Sequence, residues 1–182
     1  MTGRWRQMIA GAGVVIALLA GTSPLPVALA KGDQPQGSPN GRHQSHQNGG
    51  DALTHYNRGV SLQAAGKSHE AIAEYREAIR LQPDLVDAHY NLGVVLTAIG
   101  DQTGAIAAYR SAVQLKPGFA AAHHALGVAL AKRGDLNGAI EEYRAALQYQ
   151  PDLVVAHQGL GAALHAKGDL AGAIAEYRAA VQ

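Results

Sequence analysis

The 182-residue sequence contains no cysteine. That excludes disulfides, thiolate zinc sites, a cysteine nucleophile and a lipidated cysteine. It also lacks an excess of either charge, with a formal net charge of +1. Without residues 1–30, which hold Arg4 and Arg6, 13 basic and 14 acidic side chains remain, a net of −1. That balance gives no electrostatic ground for a nucleic-acid or anionic membrane-surface partner. Catalytic signatures are missing as well. There is no H-E-x-x-H and no G-x-S-x-G. AGKS at 65–68 has Ser61 where a phosphate-binding loop needs its first glycine. GLG at 159–161 lacks the third glycine and the preceding strand of a dinucleotide site. These absences point to a protein that is not an enzyme and carries no cofactor or metal.

The first thirty residues read as an address. Arg4 and Arg6 precede an uncharged apolar run over residues 8–20, followed by Pro24, Pro26 and Ala28-Leu29-Ala30. A positive start, a short apolar core, helix breakers and small residues at −3 and −1 describe an export signal cleaved after Ala30. The competing reading is a retained membrane anchor, since residues 8–30 carry no charge. Pro24 and Pro26 would break such a helix near its outer end. Both readings place the remainder outside the cytoplasm: periplasmic or secreted, or anchored to an inner membrane and facing outward.

Residues 31–50 (KGDQPQGSPNGRHQSHQNGG) hold no apolar residue larger than proline. Such a stretch buries too little surface to offset the entropy of ordering, so a disordered linker is expected. His43 and His46 within it make a weak metal pair at best, read as part of a solvated tether.

The rest is one pattern written four times. Pro83, Pro117 and Pro151 are 34 apart. The same step relates His55, His89, His123 and His157, and likewise Gly59, Gly93, Gly127 and Gly161. It also relates Tyr75, Tyr109, Tyr143 and Tyr177, and two alanine columns through Ala105 and Ala112. Such a period marks stacked repeats, here 52–85, 86–119, 120–153 and 154–182. Each reads as two helices. The first ends at Gly66, Gly100, Gly134 or Gly168, where glycine takes the left-handed closing conformation. Asp101, Asp135 and Asp169 follow and suit the positive start of the second helix. That helix stops before proline. His89, Leu92, Gly93 and Leu96 form one stripe, and Ala105, Tyr109 and Ala112 the facing one, with Ile106 beside it.

The recurring histidines are the one candidate for repeated chemistry. Neighbouring packed helices lie roughly 8–10 Å apart, whereas zinc holds its nitrogens at about 2.0–2.1 Å. The four cannot share an ion. They are read as semi-polar spacers in a packing column, with a pH-sensitive interface as the alternative. Glu141-Glu142 on the outer helix is read as a solvated face.

Over residues 52–182 this arrangement resembles the tetratricopeptide repeat family. Leu92-Gly93, Leu96, Ala105, Tyr109, Ala112 and Pro117 occupy its signature columns. Two departures stand out: histidine where the family often has tryptophan, and Arg58 where leucine is expected, which suits an end unit with a solvated side. The resemblance implies an all-α, right-handed α-solenoid of stacked helix-turn-helix units. It also implies a non-catalytic scaffold whose first helices line a concave groove for a protein or peptide. The groove positions are then Tyr56, Val60 and Gln63; Asp87, Tyr90, Val94 and Thr97; His124, Val128 and Lys132; Gln158 and His165. Some family members grip C-terminal carboxylates there with lysine and asparagine. Tyr56 and Val60 replace those residues, so an apolar extended or helical peptide is expected instead. The array stops inside the second helix of unit 4, which leaves that unit's far side bare and predicts partner docking or self-association there, unless the gene product is truncated. The rival readings are an accessory subunit of an envelope enzyme and a histidine-based metal carrier.

Overall fold

The structure, a computed structural model, describes residues 43–181. The export segment and residues 31–42 of the expected linker lie outside them. Among the described residues all regular structure is helical. The elements are α1 (His43–Ala64), α2 (Ser68–Leu81), α3 (Val86–Ala98), α4 (Gln102–Leu115), α5 (Ala120–Lys132), α6 (Leu136–Tyr149), α7 (Val154–Ala166) and α8 (Leu170–Ala179). Each helix packs on the next in sequence. None is long and apolar enough to cross a membrane.

One boundary differs from the sequence reading. α1 starts at His43, so residues 43–50 are helical backbone and not linker. Adding a residue to an existing helix fixes one residue per hydrogen bond, a far smaller cost than starting one. The packed turn at Ala52, fully buried, supplies the start.

The turns follow the expected chemistry. Gly66, Gly100, Gly134 and Gly168 have φ of 74°, 84°, 88° and 86°, a region that residues with a Cβ enter at a cost. The Asp101, Asp135 and Asp169 side chains accept from the backbone N–H of Gly104, Gly138 and Gly172 at 2.9, 3.0 and 2.9 Å. Unit 1 has Lys67 at this position, and α2 has no side-chain cap.

Within each unit the two helices meet at a glycine. A Cβ on Gly93 would lie 2.5 Å from Cε1 of Tyr109, and Gly59, Gly127 and Gly161 stand in the same relation to Tyr75, Tyr143 and Tyr177. The ring occupies the space a methyl would take, and the helix axes close on it. The tyrosine is then covered by the next unit's first helix: Tyr75, Tyr109 and Tyr143 are 0, 4 and 3 % exposed. Removing such a ring from water contributes about 2 kcal/mol. Ile72, Ile106 and Ile140 share that core, whereas Ile174 of unit 4 is 51 % exposed. Among the described residues, none covers the far side of unit 4. At the other end Arg58 points to solvent and pairs with Glu74 at 3.2 Å.

Candidate binding groove

The first helices of neighbouring units also touch each other, α1 with α3 and α5 with α7. They form the tight inner layer of the stack, and the residues they turn away from the second helices line its inner face. Three columns build this surface from the floor upward.

The floor is valine. Val60, Val94 and Val128 are half-buried and packed against the core. Their β-branched side chains are stiff in a helix and present fixed apolar knobs. Above them sits an aromatic row. Tyr56 lies 6.0 Å from Tyr75, Tyr90 5.9 Å from Tyr109, and the His124 ring 5.8 Å from Tyr143. Tyr90 also meets Phe119 at 5.0 Å, and Lys116 lies over the Phe119 ring. Phe119 belongs to the turn before α5 and was not among the expected lining residues. Only the fold brings it over Tyr90.

The third column holds the tyrosine hydroxyls. Tyr75 donates to Gln63 Oε1 at 2.6 Å. Thr97 donates to the Gly93 carbonyl at 2.9 Å, which leaves its oxygen to accept from the Tyr109 hydroxyl at 3.2 Å. Asn91 donates to the Tyr56 hydroxyl at 3.1 Å and links units 1 and 2. Burial raises Tyr109 and Tyr143 to about 12, so both stay neutral donors at any physiological pH. Burial pushes His124 below its ordinary value, so it sits in the groove as an uncharged ring.

The expected residues thus divide. Tyr56, Val60, Gln63, Tyr90, Val94, Thr97, His124 and Val128 form a continuous, half-buried surface over units 1 to 3. Asp87, Lys132, Gln158 and His165 are exposed, and the surface loses its apolar character in unit 4, where Ala162 follows the three valines. Asp87 and Lys132 are the only charges among the twelve. Such a surface can hold apolar side chains, and its cations are Lys132 and, over the Phe119 ring, Lys116.

The histidine column does something the sequence reading missed. His123 Nδ1 lies 2.7 Å from Glu142 Oε2, and its Nε2 lies 2.8 Å from the Pro117 carbonyl oxygen. His157 repeats this with Glu176 at 2.7 Å and the Pro151 carbonyl at 2.8 Å. His55 reaches Glu74 at 2.6 Å. These rings are ties and not spacers. Glu142 turns inward, one quarter exposed, and is not part of a solvated face. The signal was in the sequence: Glu74, Glu142 and Glu176 share a column. No cluster of three metal-ligating side chains occurs among the described residues.

Two profiles of the tetratricopeptide repeat match the chain, over residues 56–120 and 129–168. Among solved structures, the crystal structure of MamA superposes with a TM-score of 0.70 at 25 % identity, covering 77 % of this chain and 84 % of that one. MamA from residue 41 to its end, from Desulfovibrio magneticus RS-1, gives 0.68 at 26 %, covering 75 % and 76 %. The first repeat domain of Spaghetti (RPAP3), bound to the HSP90 peptide SRMEEVD, gives 0.64 at 22 %, covering 66 % and 95 %, and at that identity speaks to fold alone. No curated protein sequence matches. With signature columns, helix pairs, turn glycines and neighbours in agreement, the chain belongs to the tetratricopeptide repeat family.

Proposed function

We propose that this protein is an exported, non-catalytic adaptor that holds an apolar peptide segment of a partner protein along the inner face of units 1 to 3. The observation that carries this is the unbroken row of half-buried Val60, Val94 and Val128 beneath Tyr56, Tyr90 and His124. Tyrosine offers a large contact area at low entropic cost and often carries interface energy. The RPAP3 neighbour holds an acidic peptide. Here Lys132 is the one cation among the expected groove residues, which favours an apolar segment over a carboxylate-rich one. Export rests on the pattern of residues 1–30.

The test is site-specific photocrosslinking in the native cell. A crosslinker at the exposed groove positions Asp87 and Lys132 captures one partner, and a crosslinker at Gln114, exposed on the outer helix α4, does not. Equal capture from both faces, or none from the groove, overturns the reading. N-terminal sequencing of the isolated protein checks export: a chain starting at Lys31 supports a cleaved signal.

The side of unit 4 that no described residue covers, with Ile174 and Tyr177 51 and 42 % exposed, offers a second contact to a partner or another copy. A second copy would not stack there by repeating the internal interface. Unit 1 presents Arg58 and Ser61 where the inner units present buried Leu92 and Val95. Light scattering decides whether the protein self-associates.

A further inference from the structure

A neutral imidazole has one N–H and one lone pair, and an imidazolium has two N–H groups. At His123 and His157 both ring nitrogens face an oxygen that only accepts: an ionised carboxylate on one side and a backbone carbonyl on the other. A neutral ring must leave one of these oxygens facing its lone pair. Only the doubly protonated ring satisfies both. Each tie also joins three pieces of chain. The carbonyl belongs to the proline that closes the preceding unit, the ring to a first helix, and the carboxylate to that unit's second helix. The His123 and His157 side chains are 12 and 17 % exposed, with the carboxylate bond part-buried and the carbonyl bond at the surface.

Unit 2 is a natural control. His89 keeps its carbonyl, Pro83, at 2.8 Å. In the carboxylate's column α4 carries Ala108, buried and unable to accept. One N–H is enough there.

We infer that the His–Glu–carbonyl ties of units 3 and 4 are proton-operated fasteners between successive units, closed while the ring carries both hydrogens and released when it loses one. The groups facing each ring are few. His123 meets Glu142 from α6 and the stacked Tyr149 ring at 6.0 Å. His157 meets Glu176 from α8, the single charge acting on it. Burial alone would push the His157 ring down. The Glu176 hydrogen bond, the Pro151 carbonyl and the Glu176 charge together outweigh it and hold the ring above its ordinary 6.5. A group raised on folding adds stability that is complete below its unfolded value and fades as pH climbs through the folded one. The His157 tie therefore tightens in mild acid.

The test is chemical denaturation of the full chain, followed by circular dichroism at about pH 6 and about pH 8.5, on either side of ordinary imidazole titration. The wild-type midpoint should fall between the two conditions. In E142Q/E176Q, which keeps size and removes charge, at least half of that fall should disappear. Ala108→Glu should steepen it by supplying unit 2's missing carboxylate, and should not when combined with His89→Gln. Slowly exchanging ring N–H resonances from both nitrogens of His123 and His157 at about pH 6 provide a reading independent of variant stability. An E142Q/E176Q midpoint with the wild-type pH dependence, or rings with one N–H at that pH, overturns the inference.

Discussion

The Tyr109 ring lies where a Gly93 side chain would be: a Cβ there would sit 2.5 Å from Cε1 and 2.6 Å from Cδ1. Neither group can yield, since Tyr109 is 4 % exposed and held by its hydroxyl. Gly93→Ala should therefore destabilise the array, although alanine is the better helix former. Overpacking of this kind costs about 1–3 kcal/mol, against roughly 1 kcal/mol of gained helix propensity. Equilibrium urea denaturation should show a lower midpoint, and an unchanged or higher one would mean the interface opens freely.

Thr97 accepts from the Tyr109 hydroxyl. Thr97→Val preserves shape and removes the acceptor. A lost hydrogen bond of this kind costs about 0.5–1.5 kcal/mol. The loss should vanish in the background of Tyr109→Phe, so a double-mutant cycle by denaturation checks it. Unit 3 has Ala131 in this column.

Asp135 closes the N-terminus of α6 through the Gly138 N–H at 3.0 Å. Asp135→Ala should cost about 1 kcal/mol. Lys67→Ala, at the uncapped equivalent, should cost far less. Thermal melts of the two variants side by side make the comparison.

His124 provides a pH dependence of opposite sign to the ties. Its ring is half-buried against Tyr143, and that burial pushes its pKa down. The unfolded chain then binds the proton more readily, so its contribution is complete above the ordinary 6.5 and is lost as pH falls through the lowered folded value. His124→Phe should remove that acid-side loss and leave the alkaline side as in wild type. Denaturation midpoints on the acid side of 6.5 would show it.

How far the fold was legible follows from what repeats. The turn glycines, the aspartate caps and the Gly93–Tyr109 contact each rest on columns at a step of 34, and a column states its environment several times over. The Glu142 partner of His123 lies 19 residues away across a turn, in a column interrupted by Ala108, and was read as solvent-facing. Phe119 over Tyr90 is the one aromatic residue of its column, the equivalent residues being Leu85 and Leu153. The start of α1 at His43 was not legible because residues 43–50 hold two glycines and no apolar side chain, and the support comes from the packed turn that follows. The groove residues were legible as positions, while their split into packed and open groups depended on the fold: Asp87 and Lys132 stand at helix ends, and Gln158 and His165 belong to unit 4.

Ile106 and Ile174 are the same residue in the same column, 2 and 51 % exposed. Because a unit of this architecture is held chiefly by its immediate neighbours, the helix pair α7–α8 is, among the described residues, packed on one side alone. Breathing motions should start there and run inward like a zip, so amide exchange should be fastest in α8 and slow progressively toward α4.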